Sequence, residues 1–269
     1  MSNAFDRLKA RQNELGIQAK KSLGQNFLVS DNVIEKIIAA ADGFNAELVI
    51  EIGPGCGALT DILVQKYKNL KLIELDRYLF EFWKSKDIDI INVDALQTDW
   101  TPYSDYLLVS NLPYQISSSL VIDRSLDAKP MVGMVLMFQK EVAQRIRSVE
   151  QSEHYGMLSV IAQEFWQIKT VTDAGPRDFN PAPKVASRVL EFRPRVSNII
   201  NKAEYLHFVK AAFKQRRRIL KTNLAALEKN FNVDLLGDWL IQNKKSEKVR
   251  AEELSVVQLN SLYHHLKVK

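Results

Sequence analysis

Residues 47–67 read ELVIEIGPGCGALTDILVQKY, and the periodicity changes twice inside that stretch. Up to Ile52 the residues are mostly apolar with no helical period, the pattern of a short buried strand. From Gly57 onward Leu59, Ile62, Leu63 and Lys66 step round one face of a helix. Between the two patterns Gly53, Gly55 and Gly57 enclose Pro54 and Cys56. Glycine reaches positive φ at no steric cost and lets a ligand approach the backbone, so this strand-to-helix turn predicts a binding site at the strand's carboxyl end. The glycines fall as GxGxG rather than GxGxxG, which makes a dinucleotide pyrophosphate the weaker reading.

Working outward, six more strand patterns follow: LKLIEL (70–75), IDIINV (88–93), DYLLVSN (105–111), MVGMVLMF (131–138), QIKTVTDA (167–174) and SRVLEF (187–192). Helical patterns such as RYLFEFWKSK, a segment from 117 to 126, KEVAQRIRS and YGMLSVIAQEFW separate several of them. Repeated β-α-β units with near-continuous apolar strands imply a mostly parallel seven-stranded sheet covered on both faces, an α/β fold. After residue 195 the strand signals stop. AEYLHFVKAAFKQRR, ILKTNLAALEKN, VDLLGDWLIQ and AEELSVVQLNSLYHHL read as helices joined by short polar connections. The expected organisation is therefore an α/β domain over 1–199 and a small all-helical domain over 200–269.

The net charge of +5 is unevenly placed. Residues 201–250 hold 12 Lys/Arg against 5 Asp/Glu, whereas residues 31–200 hold 18 against 23. Positive charge concentrated in one part of a chain is the electrostatic footprint of a polyanion partner, most commonly a nucleic acid. The single cysteine, Cys56, excludes an internal disulfide and a multi-cysteine zinc site, and the four histidines have no ligand spacing, so no metal is expected. No apolar stretch approaches the roughly 20 residues of a membrane span, and a cytoplasmic location with no membrane partner is the expectation.

Two acids sit where a ligand at the glycine turn would need them. Glu74 closes the second strand, 21 residues after Gly53, where a carboxylate can take both hydroxyls of a ribose. Asp94 follows the third strand, placed to bind the exocyclic amine of an adenine. Ribose and adenine without pyrophosphate fit S-adenosylmethionine. Helix capping by either acid, or a merely tight turn, is the plainer reading of each element alone. The fourth strand ends in Asn111-Leu112-Pro113-Tyr114. An aromatic amine is a poor nucleophile because its lone pair is delocalised into the ring. The Asn111 side-chain oxygen with the Leu112 or Pro113 carbonyl can accept its two N–H bonds and aim the lone pair at a methyl group, while Tyr114 stacks on the base.

These motifs, in order, resemble the ribosomal RNA adenine dimethyltransferases, and most nearly the bacterial small-subunit type. The resemblance runs through KKSLGQNFL (20–28), EIGPGCGALT, IELD (73–76), NVDA, NLPY, FQKEVAQRI (138–146), YGMLSV (155–160), FNPAPKVASRV (179–189), AFKQRRRILKTNL (212–224) and RAEELS (250–255). It implies a Rossmann-like class I methyltransferase domain. It also implies that Gln25, Asn26 and Leu28 close over the methionine end of the donor, that Gly53 and Gly55 contact it, that Glu74 holds the ribose and Asp94 the adenine, and that Asn111 lies beside the reacting methyl. Phe179 is similar to an aromatic that stacks on the target base opposite Tyr114, and Lys184 is placed near phosphate. Arg216, Arg217, Arg218 and Lys221 resemble the basic start of an RNA-engaging domain. The family pattern continues NLPY with Asn, where this chain has Gln115, so any contact there is one methylene longer.

The expected activity is dimethylation of the exocyclic amines of two adjacent adenosines near the 3′ end of 16S rRNA in the small ribosomal subunit. S-adenosylmethionine is the donor, S-adenosylhomocysteine the product, and a monomer is expected. A large-subunit adenine methylase of the macrolide-resistance type, and a ribosome-assembly factor whose binding role dominates, stay open as alternatives. A dehydrogenase is disfavoured by the glycine spacing.

Overall fold

The computed structural model describes residues 2–20, 23–227 and 230–268. Lys21 and Ser22 of the KKSLGQNFL motif, and Glu228 and Lys229 of ILKTNLAALEKN, lie outside the described residues. Among the described residues seven strands form the main sheet: β1 (Leu48–Ile52), β2 (Asn69–Glu74), β3 (Asp89–Asn92), β4 (Tyr106–Asn111), β5 (Gly133–Gln139), β6 (Trp166–Ala174) and β7 (Ser187–Pro194). Their order is β3-β2-β1-β4-β5-β7-β6. The β1/β2, β2/β3, β1/β4 and β4/β5 pairs are parallel, and β5/β7 is antiparallel. The chain thus runs outward from β1 to β3 and then returns to the other side of β1. That reversal leaves a crevice between the carboxyl ends of β1 and β4, the place where open α/β sheets bind ligands.

The central strands are buried on both faces, which is why they read as apolar runs without alternation. Tyr106, Leu107, Leu108 and Val109 are all fully buried, and truncating Leu108 to alanine is expected to cost about 2–5 kcal/mol. Helices flank the sheet: α1 (Ala4–Leu15), α2 (Asp31–Asp42), α3 (Thr60–Lys66), α4 (Arg77–Lys84) and α5 (Ser117–Leu126). Val33, Ile34, Ile37, Ile38 and Ala41 make an apolar stripe on α2 that shares a core with Leu72, Val135 and Met137. A separate two-residue ribbon pairs Phe27–Leu28 antiparallel with Phe179–Asn180. None of these helices is long and apolar enough to cross a membrane, nor is any other among the described residues.

The chain divides into two units, Met1–Ala143 with Gln167–Pro194, and Gln144–Trp166 with Arg195–Lys269. This differs from the contiguous division at 199/200. The second unit takes in the end of α6 (Lys140–Arg147) and all of α7 (Met157–Phe165). The reason lies in packing. The Phe165 ring meets Tyr205 edge-on at 6.2 Å, and Glu164, buried on α7, accepts hydrogen bonds from Ser197 (2.6 Å) and Asn260 (2.8 Å). Around these lie α8 (Lys202–Ala212), α9 (Leu220–Leu224), α10 (Leu236–Gln242) and α11 (Val256–Leu266), with an aromatic core of Tyr205, Phe208, Phe231 and Tyr263. Several helices are shorter than their sequence patterns, α8 among them. AEYLHFVKAAFKQRR is helical only to Ala212, because the Asn223 amide donates to the Ala212 (2.8 Å) and Gln215 (3.0 Å) carbonyls and takes up acceptors a continuing helix would use. Arg216, Arg217 and Arg218 consequently lie in a turn.

Candidate active site

A cavity of about 240 Å³ opens at the carboxyl ends of β1, β2 and β4 in the first unit. The eight residues expected to hold a donor all line it. Gln25, Asn26 and Leu28 come from the segment before α2, Gly53 and Gly55 from the turn after β1, Glu74 from the end of β2, Asp94 from beyond β3, and Asn111 from the end of β4. Leu112, Pro113 and Tyr114 line it as well.

The glycine turn has left-handed backbone where the sequence suggested it. Gly53 adopts φ +66°, a conformation L side chains rarely take, although a Cβ there would make only ordinary contact with Pro113 Cδ at 3.8 Å. Gly57 adopts φ +86°, and a Cβ there would stand 2.1 Å from Arg11 Nη1 and 2.8 Å from the Trp83 ring, so nothing larger fits without displacing both. Cys56 is buried, and burial pushes its thiol up to about 12, which leaves it a small turn residue rather than a nucleophile.

Glu51, Asp61, Glu74 and Asp94 line the cavity around the turn, with Asp76 bonded to Glu74 through its amide, and their environments differ. Glu74 Oε1 accepts the Asp76 amide at 2.8 Å and Oε2 the Gly55 amide at 3.3 Å, so it ties β2 to the glycine turn. Burial nevertheless outweighs those bonds and pushes Glu74 up to about 7. Glu51, inside β1 and 2% exposed, lines the same cavity. Thr60 donates its hydroxyl to Glu51 at 2.8 Å, but burial dominates and lifts the carboxyl to about 8. Asp76 caps α4 by accepting the Tyr78 amide (3.0 Å) and binds Lys20 (2.9 Å) and Gln25 (3.2 Å). Burial acts to raise Asp76 too, but those three donors outweigh it and hold the carboxyl below its usual range. Asp94 accepts the Leu96 amide at 2.9 Å through Oδ1, and among the described residues no donor is bonded to Oδ2. An acidic cavity of this kind suits a cationic ligand carrying hydroxyl and amine donors.

In the NLPY turn the polar groups are already sorted. Asn111 donates its side-chain amide to the Asn26 carbonyl at 3.2 Å, which leaves Asn111 Oδ1 as an acceptor. The Pro113 carbonyl accepts the Ile116 amide (3.2 Å) and the Tyr114 carbonyl accepts Ser117 (2.9 Å) as the turn enters α5. Among the described residues none donates to the Leu112 carbonyl. The Tyr114 hydroxyl is 2.8 Å from Ser187 Oγ, a fully buried group at the start of β7, and burial raises the phenol above its usual range.

Other expected residues stand elsewhere. Phe179 does not line the cavity. It is 4% exposed in the apolar core with Leu28, Met137 and Val189, and its backbone pairs with Leu28 across the small ribbon. Lys184 is exposed in the loop that follows. Arg216, Arg217, Arg218 and Lys221 belong to the second unit and are exposed, but they differ in freedom. Arg216 pairs with Glu252 and donates to the Ser152 carbonyl, and Arg218 reaches Gln215 at 3.3 Å. Sequence reasoning missed Glu51 and Ser187, and left Gln115 unplaced; Gln115 lines the cavity with its side chain exposed. An acid inside an otherwise apolar parallel strand, at EIGPGCG, was the available signal for Glu51.

The sequence profile of a family described as ribosomal RNA adenine dimethylase matches residues 16–267. A ribosomal RNA small subunit methyltransferase A from Bdellovibrio bacteriovorus is 52% identical over 270 aligned residues, with 98% of each chain covered. Another, from Syntrophotalea carbinolica, is 40% identical and covers 87% of this chain and 93% of its own. Among solved structures, a dimethyladenosine transferase from Plasmodium falciparum superposes with a TM-score of 0.72 at 23% identity, over 90% of this chain and 100% of that one. The 23S rRNA methyltransferase ErmE gives 0.64 at 23% identity, over 90% and 99%. At such identity these two structures speak for the fold alone.

Proposed function

The chain belongs to the ribosomal RNA adenine dimethylase family, and from that premise and the cavity we infer that it dimethylates the exocyclic amines of two adjacent adenosines near the 3′ end of 16S rRNA, with S-adenosylmethionine as donor. The observation that carries the reading is that one cavity joins Glu74 and Asp94, acceptors for ribose hydroxyls and an adenine amine, to the Asn111 turn. The residues fit such a donor: a cradle closed by glycines, two carboxyls raised by burial that a cation would draw toward their charged forms, and an Asp94 oxygen that no donor among the described residues occupies. S-adenosylmethionine supplies an electrophilic sulfonium methyl.

The protein's own part is positioning. With its amide nitrogen held by the Asn26 carbonyl, Asn111 offers Oδ1 to one N–H of the target amine, and the unoccupied Leu112 carbonyl takes the other. Two acceptors favour a pyramidal nitrogen whose lone pair points at the electrophile. No strong base is needed, because the alkylated ammonium loses its proton readily. Tyr114, fixed through Ser187, covers the base. In the second unit, Arg217 and Lys221 are charged groups without an ion pair among the described residues, and they are the ones we assign to RNA phosphate.

The small-subunit substrate rests on the curated relatives, whose names specify that subunit and whose identity reaches 52%. The test offers unmethylated small and large subunits separately, with labelled donor, and analyses the nucleosides. Label recovered as dimethyladenosine from small-subunit RNA supports the reading. Label in large-subunit RNA, or in neither, refutes it.

A further inference from the structure

Helix α1 precedes the residues that match the family profile, yet it forms part of the cavity wall, since Ala4, Arg7 and Leu8 line the space. One turn beyond them, Arg11 reaches the glycine turn itself. Its Nη1 donates to the Cys56 carbonyl at 3.0 Å and to Asp61 at 2.9 Å, with only 19% of the side chain exposed. The guanidinium lies over Trp83, 4.9 Å from the ring centroid, and over Phe82 at 5.1 Å. Trp83 in turn donates its Nε1–H to the Gly55 carbonyl at 2.9 Å. Two consecutive carbonyls of the turn, those of Gly55 and Cys56, are therefore held from behind by two side chains stacked on each other. Gly57 completes the arrangement, because its missing Cβ is the space that Arg11 and Trp83 occupy.

We propose that Arg11 and Trp83 are positioning residues that hold the glycine turn in its donor-binding shape, so that α1 is a working part of the methyl-donor site. The inference rests on the reading of the cavity as that site. Its physical basis is entropic. A turn with glycines at 53, 55 and 57 has several backbone basins of similar energy, and a loop that must be ordered by its ligand loses affinity by that ordering cost. The clamp settles the two peptide planes beforehand. The Gly55 amide, on the cavity side of the same residue, donates to Glu74, so the clamp also fixes the acid expected to meet the ribose. Lysine replaces Arg11 only in part: its ammonium can reach the Cys56 carbonyl and Asp61, as the single Nη1 does here, but it has no planar face to lay over Trp83 and Phe82.

The experiment measures S-adenosylhomocysteine affinity by calorimetry on the full chain without RNA, for wild type, R11K, R11A and W83F, alongside melting temperature and steady-state KM for donor and for subunits. The expected result is a donor dissociation constant weakened about tenfold in R11A, the scale of one charge-assisted hydrogen bond, and several-fold in W83F. R11K should fall between wild type and R11A. Donor KM rises in parallel and subunit KM stays put, a split that a general loss of folding would not produce. If R11A melts too early to measure, W83F and R11K decide the matter, because W83F keeps an aromatic face under Arg11 and R11K keeps a cationic donor for the Cys56 carbonyl and Asp61. Wild-type-like donor affinity in folded variants, or equal rises in both KM values, overturns the clamp. Absence of donor binding by wild type would instead count against the methyltransferase reading of the cavity.

Discussion

Replacing Glu51 by glutamine should make the protein progressively more stable relative to wild type as pH rises above about 4.5. Glu51 is buried within β1, where desolvation lifts its carboxyl from 4.5 to about 8, helped by Asp61 and Glu74 and opposed by the Thr60 hydroxyl. Between those two values the folded state holds a proton that the unfolded state has released. The Glu51 contribution is therefore complete below about pH 4.5 and is lost as pH climbs through 8. At about 1.36 kcal/mol per unit, the whole window corresponds to about 5 kcal/mol, and the part between about pH 5 and pH 7.5 to about 3 kcal/mol. Glutamine keeps an oxygen for Thr60 and does not titrate. Urea unfolding of wild type and E51Q across this range isolates the effect, since the remaining groups titrate in both proteins. The free-energy difference should grow in favour of E51Q by about 3 kcal/mol and level off above about pH 8.5. Parallel pH–stability curves would refute the reasoning.

Three further outcomes follow from the same geometry. Asn111→Ala removes one acceptor for the amine and the bond to the Asn26 carbonyl; single-turnover transfer should fall about 100-fold or more, while calorimetric donor affinity changes far less. Ser187→Ala leaves the Tyr114 ring but frees its hydroxyl, so KM for subunits should rise a few-fold with donor KM unchanged. In the second unit, Arg217→Ala and Lys221→Ala should each flatten the log–log salt dependence of RNA binding by about 0.7–0.9 and leave melting unchanged. Arg216→Ala, which also loses Glu252 and the Ser152 carbonyl, should lower the melting temperature as well.

The elements that the sequence made legible are those whose signals are local. Residues 106–109 of the strand are continuous apolar sequence because both its faces are covered, and the glycine- and proline-bearing segments between strands mark where chains turn. Helix α1 gave no such signal. Only Ala4 and Leu8 of its twelve residues are buried, and what anchors it to the first unit are bonds to residues distant in sequence, from Ala4 and Arg7 to Asp31 and from Arg11 to Cys56 and Asp61. The limits of α8 were misjudged for a related reason: KQRR continues a good helical pattern, but Asn223 competes for the carbonyls from eleven residues downstream. Phe179 shows the reverse case. The resemblance to the family implied an aromatic stacked on the target base, whereas the structure buries the ring in the core beside Leu28, its partner in the ribbon. Nothing in FNPAPKV distinguishes the two.

The candidate site was more legible than those elements because its parts all lie at one end of parallel strands, and parallel pairing fixes that end. Glu51 pairs with Val109, so the residues that follow, Gly53 on one strand and Asn111 on the other, leave the sheet side by side. One contact preserves that alignment across a sequence separation of 58: Ser110 Oγ donates to the Ile52 carbonyl at 2.6 Å. A slip of one residue between β1 and β4 would turn Asn111 to the opposite face of the sheet and bury a polar amide among apolar side chains. The register that builds the core is thus the same register that sets Asn111 beside the glycine turn, and fold stability and donor–acceptor alignment cannot vary independently at this pair of strands.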